Sequence, residues 1–185
     1  MKKYIFIGLI FLFVVFEFGV YFKNQKKTPV YIKVAEKLRR ELIIEAKKNH
    51  ELEYYGGGGR FLTGVKQFTL SFRHVGARLN LHEVRQLFVN CTEELKEKIN
   101  QCEEVRPYLN QYPVTEENVG IKIAFLDKKN KRANEESIAL VFLVVEDGYI
   151  YYEKYNHKAG RFETVHRETY EEAKAIVMAE QEKAL

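Results

Sequence analysis

The sequence predicts an α+β fold: an N-terminal transmembrane helix, then a four- or five-stranded antiparallel sheet packed with about three helices. Three observations carry that expectation. Residues 4–22 form an apolar run broken only by Glu17. Apolar residues recur at helical spacing in two later stretches, and a capping box opens a third helix near the end of the chain. Between those stretches lie short segments of alternating or continuous apolar character, joined by polar turns.

The apolar run begins after Lys2 and Lys3 and ends before Lys23, Lys26 and Lys27. At ~1.5 Å per residue it is about as long as a bilayer's hydrocarbon core is thick. A cleaved secretory signal would end in small residues, whereas Tyr21 and Phe22 stand here, which favours an uncleaved anchor. Residues 1–27 are therefore a signal anchor with a basic flank, and residues 28–185 a single extracytoplasmic domain. The signal-like start favours an inside N-terminus, although lysines flank both sides of the run. Glu17 sits in the last third of the run, within reach of the interface or of an intramembrane partner.

Thr28-Pro29 has the form of a helix start, and Val30, Val34, Ala35, Leu38, Leu42, Ile43 and Ala46 continue one apolar stripe to about Asn49. Four consecutive glycines, Gly56 to Gly59, carry so large a backbone entropy cost that a loop is expected there. Residues 64–74 alternate, with Phe68, Leu70 and Phe72 on one side. Asn80 with Glu83 makes a capping box for a helix over residues 81–105, stopped by Pro107, with a break near Thr92 as the alternative. Residues 120–126 alternate again. Residues 138–145 are apolar on both faces, which suits a central strand covered on both sides. Glu146-Asp147-Gly148 turns the chain into a strand over residues 149–155. A second turn leads to a strand over residues 162–167. Thr169 with Glu172 caps a last helix ending near Gln181.

Composition excludes several classes. The chain is 46% hydrophobic and 30% charged, which excludes disorder as its main state. Two cysteines and three prolines exclude a disulfide framework and a collagen-like chain. Five lysines against one glutamate in residues 1–27 carry the whole net charge of +4, and the other 25 basic and 25 acidic residues cancel. A charge-balanced domain lacks the footprint of a nucleic-acid binder, so no nucleic-acid partner is expected.

Catalytic and metal patterns fail on inspection. His82-Glu83-Val84-Arg85-Gln86 has glutamine where a zinc-protease motif needs its second histidine. The glycine run ends in Arg60-Phe61 rather than the Lys-Ser/Thr of a phosphate loop. Cys91 and Cys102 on one helix would stand too far apart to bridge, and only a helix break near Thr92 would bring them together; free thiols are favoured. No catalytic residue, metal ligand or cofactor is assigned. Tyr149, Tyr151 and Tyr155 share one strand face, and tyrosine suits a surface that is partly covered and partly wet.

Residues 103–118, Glu-Glu-Val-Arg-Pro-Tyr-Leu-Asn-Gln-Tyr-Pro-Val-Thr-Glu-Glu-Asn, resemble a segment of an uncharacterised family of small exported or membrane-tethered bacterial proteins. The shared pattern is R-P-Y-L-x-x-Y-P, with Val114 where an aromatic residue is usual, and the likeness covers roughly residues 65–177. The resemblance implies an exported location and supports the boundaries; it implies no activity. The two X-Pro bonds predict extended backbone at Arg106 and Tyr112. Arg106, Tyr108 and Tyr112 join the three strand tyrosines as candidate interaction residues, in a segment that is either a structural clasp or a recognition loop.

The function these observations point to is a membrane-anchored, non-catalytic interaction module of the bacterial envelope, held to the membrane by residues 4–22 and meeting a protein partner. The alternatives are a subunit of a larger membrane complex and an envelope enzyme whose site is assembled from residues far apart in sequence.

Overall fold

A computed structural model describes residues 28–76, 78–129, 131–132 and 136–184. The anchor expected in residues 1–27 lies outside the described residues. No helix among the described residues is long and apolar enough to cross a membrane. Residues Tyr31–Leu185 form one compact unit.

Among the described residues three α-helices and six strands make an α+β fold. In chain order they are α1 (Val30–His50), β1 (Glu53–Arg60), β2 (Gln67–Val75), α2 (Leu81–Gln101), β3 (Val119–Leu126), β4 (Leu140–Val144), β5 (Tyr149–Asn156), β6 (Arg161–Thr169) and α3 (Tyr170–Ala184). The strands form one sheet in sequence order, β1 to β6. The expected sheet of four or five antiparallel strands is corrected in two respects. There are six strands, and β2 pairs with β3 in parallel while every other pair is antiparallel. The parallel pair follows from α2, which lies between the two strands in sequence and returns the chain to the end of the sheet where β2 began.

The additional strand is β1, which contains the glycine run expected to be a loop. Pairing with β2 fixes these glycines, from Gly56 opposite Ser71 to Gly59 opposite Phe68. On the core side the lack of side chains is required. A Cβ on Gly57 would fall 2.3 Å from the Thr69 carbonyl oxygen, and one on Gly59 would strike the Phe61 ring and the Gln67 carbonyl. Phe61 occupies that space and meets Phe68 edge to face at 5.7 Å. A register shift at Tyr55 in β1 and another at Val165 in β6 bend the two edge strands.

All three helices contribute to one core on one face of the sheet. α1 buries Ala35, Leu38, Leu42 and Ala46 of the predicted stripe, with Val34 and Ile43 partly buried beside them and Val30, at the helix start, exposed. α2 buries Val84, Phe88, Cys91, Leu95 and Ile99 without a break at Thr92, and α3 buries Tyr170, Ala173 and Val177. Beneath them lie Phe68, Leu70 and Phe72 of β2, Ile121, Ile123 and Phe125 of β3, and Ile150 and Tyr152 of β5. Both predicted caps form. Asn80 accepts from the Glu83 N–H while Glu83 accepts from the Asn80 N–H, and Thr169 and Glu172 exchange the same pair of bonds.

Two polar clusters tie helices to the sheet and to each other. Glu168 on β6 accepts from Arg85 of α2 at 2.8 Å and from the Tyr152 hydroxyl at 2.7 Å. Burial opposes the Glu168 charge, but the hydrogen bonds from Arg85 and Tyr152 outweigh it and lower its pKa below 4.5. Glu93 of α2 accepts from the Tyr170 hydroxyl at 2.6 Å, Lys96 at 2.8 Å and Lys174 at 3.2 Å, which joins α2 to α3.

Gly57→Ala forces β1 away from β2 and should cost about 1–3 kcal/mol. Gly58→Ala, whose Cβ would meet nothing within 4 Å, should be neutral or slightly stabilising. Thermal denaturation of the two variants measures the difference. Because Glu168 has a lower pKa folded than unfolded, its contribution is full above about pH 4.5 and is lost as pH falls through the folded value. The Glu168→Gln variant should therefore be less stable near neutrality and lose less stability than wild type on acidification, as read by urea unfolding at a series of pH values.

Candidate functional site

The face of the sheet opposite the helices is the candidate site. Strand alternation places on it every second residue of each strand. Thr69 and Ser71 of β2 face it, with Lys122 of β3, Phe142 and Val144 of β4, Tyr149, Tyr151 and Glu153 of β5 and Arg167 of β6. Among the described residues no helix covers this face: its aromatic residues are half-buried and its cations exposed.

Its centre is an ordered aromatic pair. Phe142 and Tyr151 are direct cross-strand partners, stacked with centroids 5.5 Å apart and planes at 12°. The Lys122 ammonium lies 5.8 Å from the Phe142 ring, and the Arg167 guanidinium 5.3 Å from the Tyr149 ring. The Tyr151 hydroxyl donates to Asp147 at 2.8 Å in the turn between β4 and β5. The backbone N–H of Tyr149 and then the Tyr151 hydroxyl hold the Asp147 carboxyl below its usual range. Burial raises the Glu153 pKa against the pull of Lys122. On the β1 side, Gly56 and Gly58 leave bare backbone with open space above it. Arg60 and Glu146, on strands and turns separated by β2 and β3, meet at 2.8 Å at that end of the sheet. The result is an open surface with an aromatic centre and charges of both signs around it.

The structure divides the six residues singled out from sequence among different places. Tyr149 and Tyr151 lie on the open face. Tyr155 stands at the far end of β5, edge to face with Phe162 at 5.1 Å and beneath Arg132. Arg106 and Tyr112 stack on each other at 4.7 Å, at the rim of a shallow polar groove along α2 bounded by Glu93, Lys96, Asn100 and Gln181. Tyr108 is half-buried with its ring 6.5 Å from that of Tyr31. The segment carrying Arg106, Tyr108 and Tyr112 is tied down at both ends. Val65 donates to the Tyr108 carbonyl and accepts from the Asn110 N–H, and Asn100 makes two hydrogen bonds to Val114. The extended backbone predicted at Arg106 is corrected: Arg106–Tyr108 is a short 3-10 turn with Pro107 in its first turn, where a missing N–H costs nothing.

Lys122, Phe142 and Arg167 were not singled out by sequence, because they are far apart in the chain and ordinary in composition. Phe142 left one signal, the second apolar face of β4. Both cysteines are free thiols, and burial pushes the Cys91 thiol far above its usual value, so it stays protonated. Among the described residues no group of three His, Cys, Asp or Glu is placed to hold a metal ion. No family model, no curated protein and no solved structure matches the chain.

The stacked pair is a surface feature rather than a core element. Phe142→Ser and Tyr151→Ser should each cost about 1 kcal/mol, with a coupling of about 0.5–1.5 kcal/mol in a double-mutant cycle. Tyr152→Ala, on the buried side of the same strand, should cost about 3–5 kcal/mol. Urea unfolding of the four variants checks this.

Proposed function

We propose that the protein is a membrane-tethered interaction module of the bacterial envelope, with its folded domain outside the cytoplasm, and that the open face of its sheet docks a protein partner. The observation that carries this reading is the pattern of β4. Val141 and Leu143 point into the core, and the opposite side of the strand carries the half-buried Phe142 and Val144 beside an already buried Leu140, where a sheet facing only water would carry polar residues. An apolar second face calls for a second cover. A protein surface with an aromatic or aliphatic centre and mixed charges at its edge complements Phe142 and Tyr151 flanked by Lys122, Arg167, Glu153 and Asp147. The apolar run at residues 4–22 with its lysine flanks supports the tether, and the charge balance of the domain favours a protein over a nucleic acid.

The test is a photo-cross-linking residue at Tyr151 in the full chain, in native membranes. A discrete protein adduct is expected. It should be lost when Phe142→Asp is added and kept when the exposed Lys158 is changed to Asp on a distant turn. Adducts that are absent, or insensitive to Phe142→Asp, would rule out the open face as the docking surface. Protease treatment of whole cells should cleave the domain if it lies outside the cytoplasm.

A further inference from the structure

The connection between β1 and β2 projects Leu62 into solvent. Leu62 is 92% exposed, the most exposed of the large apolar side chains among the described residues. This exposure is not the excursion of a loose loop. The Tyr31 hydroxyl at the start of α1 donates to the Leu62 carbonyl at 2.8 Å. The Lys66 N–H closes the loop on the Arg60 carbonyl at 2.9 Å, and Val65 is bonded on both sides to Tyr108 and Asn110. Phe61 is anchored on Phe68, and a Cβ on Gly64 would strike the Asn110 side chain at 2.7 Å. The backbone therefore holds the Leu62 side chain outward at a fixed place. The two basic residues that bracket the loop, Arg60 and Lys66, are exposed, Arg60 sharing its guanidinium with the exposed Glu146 at 2.8 Å, and the half-buried rings of Tyr31 and Tyr108 lie 6.5 Å apart behind it.

An outward apolar tip between two cations, backed by tyrosines, is the side-chain chemistry of a lipid interface. The covalent chain supplies a reason for a lipid surface to be near. Tyr31, which holds the loop, is nine residues beyond Phe22, the end of the apolar run. Nine residues span at most about 30 Å when extended. Within that radius a tethered loop meets the membrane at high effective concentration, so a single leucine with two charges is enough to set an orientation, although it would not recruit a free protein.

We propose that the loop from Arg60 to Lys66 is a second membrane contact, in which Leu62 enters the interfacial layer and Arg60 and Lys66 meet anionic headgroups. The contact fixes which way the domain faces on its tether and so how the open face of the sheet is presented. It rests on the tether reading, and the two can fail separately.

The chain has no tryptophan, so single-tryptophan variants report one position each. Leu62→Trp, Phe13→Trp and Lys158→Trp are made in the full chain and reconstituted in phosphatidylcholine–phosphatidylglycerol vesicles, with and without brominated acyl chains. Leu62→Trp should show blue-shifted emission and bromine quenching several-fold stronger than Lys158→Trp. That quenching should weaken when Arg60→Gln and Lys66→Gln are added or phosphatidylglycerol is omitted. Quenching at Phe13→Trp with Leu62→Trp behaving like Lys158→Trp would overturn the loop contact and leave the tether standing. Absence of quenching at Phe13→Trp would overturn the tether and the loop contact together.

Discussion

Phe68, Leu70 and Phe72 on β2 stand beside Val119, Ile121 and Ile123 on β3 in a parallel register, with α2 packed over β3. This pairing is the constraint on which the other elements depend. A parallel neighbour requires the chain to travel the length of the sheet between the two strands, and α2 is the element that makes the trip. Once it has done so, its buried residues from Val84 to Ile99 lie over the centre of the sheet, and α1 and α3 complete the same layer. Apolar burial of this extent supplies most of the driving force for folding. The strands on either side follow as antiparallel neighbours through short connections.

Placing all the helices on one face has a chemical cost that the polar clusters reduce. Arg85 and Glu168 are nearly buried, and a charge left unpaired there would be strongly unfavourable. They are satisfied by each other and by the Tyr152 hydroxyl. Glu93, Lys96, Lys174 and Tyr170 do the same between α2 and α3. These contacts add specificity more than stability, since they can form only when β6 and α3 have the right position relative to α2.

The same one-sidedness produces the surface on which the functional reading stands. With the helices on one face, Phe142 and Tyr151 are left on the other, preorganised by stacking and by the Tyr151 bond to Asp147. Side chains ordered before a partner arrives lose little entropy when it binds. The glycines of β1 extend this surface as bare backbone. The loop that follows them carries Leu62, held by Tyr31 at the first turn of α1, close in sequence to the apolar run. In the proposed arrangement the tether would limit the reach of the loop, and the loop would orient the open face.

Helices were legible in the chain because their signals are local. The stripe in α1, the Asn80–Glu83 box and the Thr169–Glu172 box each depend on residues within a few turns of one another, and each was found where periodicity and capping put it. Alternation at Phe68, Leu70 and Phe72 and at Ile121 and Ile123 likewise identified strands and their buried sides. Pairing was not legible. Nothing near Gly56 to Gly59 reveals that β2 will hold them in a strand, because the hydrogen bonds that overcome their entropy come from a separate strand, Phe68 to Ser71. The parallel join of β2 to β3, the stacking of Phe142 on Tyr151, the separation of Arg106 and Tyr112 from Tyr149 and Tyr151, and the support of Leu62 by Tyr31 are all contacts between distant parts of the chain. Local composition decides which segments become helix or strand and which side each will bury. Which strands become neighbours, and hence which side chains share a surface, is decided only when the whole core closes, because that choice minimises the exposed area of all the elements at once.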